Sequence, residues 1–129
     1  MATIKSYTDI EQSRKLAKIL PIESADMWYH GFFTPRRMCK IEYNPPASYH
    51  SVTPQWDCPC WSLAALLDII PKHIKDYNVL RIDINENDTA IWYDEIGCGV
   101  NNELPDTTKE SAVDACVDII IKLKERNII

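Results

Sequence analysis

Apolar residues near the N-terminus recur at the three- and four-residue spacing of an α-helix. One stripe contains the apolar residues Ile10, Leu16, Ala17 and Leu20 together with the small Ser13. It predicts a helix with that face buried. The preceding run, Thr8-Asp9-Ile10-Glu11, has the spacing of a capping box, so Thr8 is expected to cap this helix. Pro21 is expected to end it near Leu20.

Two further segments have helical periodicity. The second helix is expected to start at Asp57 or Cys58, with Pro59 in its first turn, and to stop at Pro71. The final helix is expected to be capped by Thr107 or Thr108. Its apolar positions predict a long buried stripe made of Val113, Cys116, Val117, Ile120 and Leu123.

A period of two between these helices predicts a β-hairpin. Apolar and polar residues alternate over 80–84 and again over 90–94, and 85–88 have the composition of a turn. The alternation places Ile91 and Tyr93 on one face of the second strand and Trp92 on the other.

The remaining segments are shorter or irregular. A short strand is predicted over Met38–Tyr43, whereas residues 44–57 and 97–106 are predicted to be loops. The element order predicts a single α+β domain over residues 1–129. We expect a small, mostly antiparallel sheet that includes the hairpin and is covered by about three helices.

Composition and charge narrow the possible functions. The 129 residues carry a net charge of −5, and residues 41–129 alone carry −8, which disfavours nucleic-acid binding. No apolar run approaches the ~18 residues of a membrane span, so we expect no membrane partner. Five cysteines without an apolar leader segment favour a reducing, cytoplasmic location. The three glycines cannot form a glycine-rich phosphate loop, and no cofactor is predicted.

Aromatic residues are concentrated between positions 28 and 61, where eight of the twelve occur. They can anchor an irregular segment to the core, or they can form a recognition surface, because Trp, Tyr and Arg are enriched at interface hot spots. The second interpretation predicts a protein-binding surface made of Trp28, Tyr29, Arg36, Arg37, Tyr49 and Trp56.

A thiol nucleophile at Cys60 is the alternative function. The Cys60-Trp61 pair resembles the active-site entry of papain-like peptidases, but the only later histidine is His73, at the far end of a helix about 15 Å long. His30 and His50 precede Cys60 and remain candidate bases for a small cysteine-dependent hydrolase. With no downstream base, Cys60 is expected to pack rather than react, so we predict no catalytic residue. We also predict no metal site, because Cys58 and Cys60 are closer than the usual zinc-knuckle spacing and no second pair follows.

Four segments together resemble a family of short, uncharacterised hypothetical proteins from gut anaerobes and from their phages or mobile elements. The segments that carry this resemblance are Thr8–Pro21, Glu23–Met27, Pro59–Leu67, and Val113–Val117 running into Ile121–Lys124. The position of Cys60 need not be cysteine in that group, which speaks against a nucleophile. The resemblance implies an accessory intracellular protein that acts by binding a host or phage component. Together with the aromatic segment and the missing base for Cys60, it leads us to expect a non-catalytic protein that binds another protein.

Overall fold

The computed structural model describes residues 5–30, 36–37 and 57–129, which form three α-helices, a short 3-10 helix and eight strands. The α-helices are α1 (Ile10–Ala17), α2 (Leu63–Ile69) and α3 (Ala112–Glu125), and the 3-10 helix is Ile22–Ser24. The strands are β1 (Met27–His30), β2 (Arg36–Arg37), β3 (Asp57–Cys60), β4 (His73–Ile74), β5 (Asn78–Ile84), β6 (Thr89–Glu95), β7 (Gly99–Val100) and β8 (Thr107–Lys109). The predicted strand Met38–Tyr43 and most of the predicted loop 44–57 lie outside the described residues.

These strands form two antiparallel sheets. The smaller sheet has the order β2-β1-β3, and the larger one has the order β4-β5-β6 with both β7 and β8 on the far edge of β6. The α+β class and the antiparallel pairing are confirmed. The single sheet expected from the sequence is instead two sheets, because β3 pairs with β1 and not with the hairpin.

The start of α1 differs by one residue from the prediction. Asp9 is the N-cap, and it exchanges hydrogen bonds with Gln12 in a capping box. Thr8 is buried and has another role, since its hydroxyl bonds to Ser13 at 2.7 Å and accepts from the Trp61 amide at 3.2 Å. Thr8 therefore does not cap α1, because its hydroxyl is hydrogen-bonded to the segment around Cys60 and Trp61.

The predicted start of the second helix is wrong, because Asp57 and Cys58 belong to β3 and α2 is capped by Ser62. Pro59 lies on an edge strand, the position in a sheet where a missing amide hydrogen is tolerated. The Asp26 carboxylate accepts hydrogen bonds from the amide and hydroxyl of Ser62 and so fixes the turn into α2. The helix does end before Pro71, as predicted.

The buried stripe of α3 is confirmed at all five predicted positions, and Ala115 and Ile119 extend it. Its cap is Ser111, so the prediction of Thr107 or Thr108 is wrong. Both threonines are part of β8, which pairs with β6. The predicted loop 97–106 also contains the two-residue strand β7.

The hairpin is confirmed as β5 and β6, with the turn between Ile84 and Thr89. Ile91 and Tyr93 are fully buried, and Trp92 is half-buried on the opposite face. The main core lies between the Ile91–Tyr93 face and the helices α2 and α3.

Candidate functional site

The larger sheet has its described helices on one face only. Helix α3 packs against β6 and β8, and α2 packs against α3. The strand register places six apolar residues on the opposite face, which we call the outer sheet face. Its apolar members are Tyr77, Val79, Ala90, Trp92, Ile96 and Val100. Within residues 5–30, 36–37 and 57–129, no helix packs against this face.

Several apolar side chains of the outer sheet face are exposed to solvent. Tyr77 is 46% exposed, Ile96 63% and Val100 53%, and the other three members are half-buried. The Ile96 amide donates to the Tyr77 carbonyl at 2.8 Å, which holds these two residues side by side at one end of the hairpin. Single exposed apolar residues need no explanation, whereas several on one sheet face make that face a candidate interaction surface.

Asp94 organises the polar centre of the face. One of its carboxylate oxygens accepts from the Trp92 indole nitrogen at 2.8 Å, and the other pairs with Arg81 Nε at 3.1 Å. The one polar atom of the Trp92 side chain is therefore already hydrogen-bonded. A partner can cover the indole ring with apolar groups without leaving a buried donor unsatisfied.

The hairpin that forms most of the face is strongly acidic. Residues 78–95 contain one arginine and five carboxylates, a net charge of −4. Asp83 and Glu86 are exposed and Asp88 is half-exposed around the hairpin tip, whereas Asp94 is the residue paired with Arg81. The apolar face therefore has an acidic rim at one end.

A cleft of about 410 Å³ opens beside Trp92, where β6 changes partner from β8 to β7. On its inner wall the Thr107 hydroxyl donates to Asp118 at 2.5 Å, and Lys122 pairs with the same carboxylate at 3.0 Å. Burial raises the pKa of Asp118, but these two hydrogen bonds outweigh it and hold the pKa below its ordinary value. The Thr107–Asp118 hydrogen bond ties β8 to α3 and supports the sheet edge beside the outer face.

The site residues predicted from the sequence lie mainly in the smaller sheet. Trp28 and Tyr29 lie on β1 and are only 5% and 7% exposed, and the Tyr29 hydroxyl donates to the Thr8 carbonyl at 2.7 Å. Arg36 and Arg37 form β2, in register with Trp28 and Met27. The structure thus brings four of the six residues into one sheet, and their binding role stays a prediction.

Tyr49 and Trp56, the other two predicted site residues, lie outside the described residues. Trp92 is not among the predicted site residues, although the alternation of the hairpin places it opposite Ile91 and Tyr93. A tryptophan on the solvent side of an amphipathic strand was the signal available for finding the outer sheet face.

Cys60 lies within a strand and not at a helix N-terminus, and its side chain is fully buried. Burial raises the pKa of the Cys60 thiol, even though Thr8 and Ser13 hydrogen-bond to it. The backbone of His30 lies three positions along β1 from the residue paired with Cys60, about 10 Å away. His73 lies in β4 of the other sheet, and His50 lies outside the described residues.

In the described part of the chain, the fold is α+β, with one face of the larger sheet covered by α3 and the other face carrying exposed apolar residues. No family model, curated protein or solved structure matches this chain. In the described part of the chain, no group of three or more His, Cys, Asp or Glu side chains is arranged to hold a metal ion. No described helix is long and apolar enough to cross a membrane.

Proposed function

We propose that this chain is a non-catalytic accessory protein that binds another protein through the outer sheet face. The observation that carries the proposal is the exposure of Tyr77, Ile96 and Val100 beside Trp92 on one sheet face. Leaving such a surface in water is unfavourable by about 25 cal/mol per Å² of apolar area, and a partner removes that cost. Tryptophan and arginine side chains within the patch are typical of interface hot spots.

We further propose that the protein works in the cytoplasm. Cys58, Cys60, Cys98 and Cys116 are free thiols in the described part of the chain, and Cys98 is exposed. Free thiols persist in reducing compartments, so this observation supports the proposed location.

The proposal is tested by affinity capture from the native host with a matched pair of variants. Ile96→Ser combined with Val100→Ser makes the outer sheet face polar without touching the core. The control is Ile84→Ser, because Ile84 is 64% exposed but lies on the opposite face of the same sheet, in register with Thr89. Circular dichroism confirms that both variants are folded before capture.

A protein retained by the wild type and by Ile84→Ser, but lost with the double variant, is the expected result. Two interface side chains worth more than 1 kcal/mol each correspond to at least a roughly tenfold loss of affinity. Equal retention by all three proteins, or no specific retention by the wild type, contradicts binding through this face.

The alternative of a cysteine-dependent hydrolase at Cys60 lacks a supporting observation. An active thiol is exposed and has a lowered pKa, whereas this thiol is buried and its pKa is raised. Cys60→Ser is therefore expected to leave partner capture unchanged. Loss of a biological activity in Cys60→Ser, with folding and capture intact, would replace the binding proposal with the enzyme.

A further inference from the structure

The apolar part of the outer sheet face is long and narrow. It runs along β6 from Ala90 to Ile96, just past the end of the strand, a span of six residue steps or about 20 Å at ~3.3 Å per residue, with Asp94 between Trp92 and Ile96. Across the strands it spans β5, β6 and β7, so its outer strands are about 10 Å apart. An α-helix is about 10 Å wide, and about 13 residues of helix cover 20 Å.

The opposite face of the same sheet shows how these strands accommodate a helix. There α3, a helix of 14 residues, lies against β6 and β8. A helix of similar length on the outer sheet face would complete a second helical layer on these strands. This is the ordinary way in which a sheet with two apolar faces is covered.

The charges at the two ends of the outer sheet face indicate which charge the partner helix carries. The acidic rim includes Asp83, Glu86 and Asp88, whereas the one arginine of the hairpin is already paired with Asp94. At the other end, Lys72 and Lys75 accompany Asp76 and His73, so the charge there is mixed. A partner with Lys or Arg side chains beside its apolar stripe is attracted to the rim.

A second copy of this chain fits the face less well. Two copies packed face to face would bring two hairpins of net charge −4 together, and like charges across an interface are unfavourable. The same rim repels the phosphates of nucleic acids and of anionic lipids.

We infer that the occupant of the outer sheet face is a basic amphipathic α-helix of another protein, about 13 residues long. Its apolar stripe covers Trp92, Ile96 and Val100, and its Lys or Arg side chains lie against the hairpin rim. This inference rests on the proposed function and adds the chemistry of the partner.

Synthetic helical peptides of 14 residues test it. The probe has leucine at helical i, i+3, i+4, i+7 spacing and lysine elsewhere. One control replaces every lysine with glutamate, and a second keeps the lysines but replaces every leucine with serine. Binding to the full chain is followed by fluorescence anisotropy of the labelled peptides and by calorimetry for stoichiometry.

We expect one leucine–lysine peptide to bind per chain and neither control to bind measurably. Ile96→Ser with Val100→Ser is expected to weaken binding at least tenfold, and Ile84→Ser to leave it unchanged. Asp83→Asn with Glu86→Gln and Asp88→Asn is expected to weaken binding several-fold and to reduce its dependence on salt.

Each contrary outcome identifies what is wrong. If the glutamate peptide binds as tightly as the leucine–lysine peptide, the partner does not need to be basic. If the serine–lysine peptide binds as tightly, binding depends on charge alone and not on the apolar residues of the outer sheet face. Sedimentation could instead show that the wild type dimerises and that Ile96→Ser with Val100→Ser abolishes the dimer. The occupant of the outer sheet face would then be a second copy of this chain, and the inference would be wrong. If the leucine–lysine peptide fails to bind while the capture experiment succeeds, the helix inference is wrong but the protein-binding function stands.

Discussion

The central prediction concerns Ile120 in α3, whose side chain is fully buried in the main core. Ile120→Ala removes three carbon groups, which corresponds to about 2.4 kcal/mol at ~0.8 kcal/mol for each buried group. A cavity adds to this loss because α3 is held by packing on both α2 and β6 and can collapse only partly. The expected decrease in the free energy of unfolding is therefore about 2 to 5 kcal/mol.

Urea unfolding followed by circular dichroism and tryptophan fluorescence measures this change. A chain of this length is expected to unfold in one cooperative step, so the midpoint should fall while the slope stays constant. For 129 residues the entropy of unfolding is roughly 270 cal/mol/K, and a loss of 3 kcal/mol lowers Tm by about 11 °C.

Ile84→Ala provides the matched control, because it removes the same atoms from a side chain that is 64% exposed. We expect its effect to stay below about 1 kcal/mol, the range of exposed strand positions. A loss below 1 kcal/mol for Ile120→Ala, or equal losses for the two variants, would refute the assignment of α3 to the core.

Three further predictions follow from single residues. In the native protein a thiol reagent should modify Cys98 rapidly and Cys60 only after unfolding, because Cys60 is buried and its pKa is raised; peptide mapping showing the reverse order contradicts this. Lys75 has a φ of 42°, so Lys75→Gly should raise the free energy of unfolding by about 0.5 to 1 kcal/mol, and a loss of stability in urea would refute left-handed strain there. The pKa of Asp118 is lowered in the folded state, so its contribution is present above the unfolded value of about 3.9 and is lost as pH falls through the folded pKa. Asp118→Asn should therefore be less stable than the wild type at pH 7, and the difference should shrink as pH falls below about 3.9. A difference that does not change with pH would contradict this.

Local sequence patterns are sufficient to predict an element when the whole pattern lies within one continuous segment of the chain. The hairpin was predicted because its apolar alternation and its turn lie within 18 consecutive residues, and its register pairs Leu80 with Tyr93 and Ile82 with Ile91. The buried stripe of α3 was predicted for the same reason, since 14 residues of 3.6-residue periodicity specify one face.

The helix starts were mispredicted where a capping residue has a distant partner. Thr8 has the sequence context of a cap, but its hydroxyl bonds to the Trp61 amide, 53 residues away. Cys58 and Pro59 precede an apolar helical run, yet they pair with Tyr29 and Trp28 in a sheet. A local pattern cannot reveal such partners, because the competing hydrogen bonds come from residues far along the chain.

The proposed binding surface shows the same difference between local and tertiary information. The aromatic content of residues 28–61 predicts a contact surface there, and this stays a prediction. Within that set, Trp28 and Tyr29 are buried in the smaller sheet. Trp92 was placed correctly on the face opposite Tyr93, although the sequence did not reveal that α3 packs on the Tyr93 side of the sheet and that α2 packs on α3.

The sequence by itself determined the α+β class, the hairpin and the apolar stripe of α3, because these depend on the spacing of residues within one segment. Only the tertiary structure decided that β3 pairs with β1, that Cys60 is buried, and that the exposed Tyr77, Ile96 and Val100 share one sheet face with Trp92. These features depend on which segments meet in space. That choice is made by the packing of the whole domain, where burial and hydrogen bonding between distant residues outweigh the weaker preferences of each local segment.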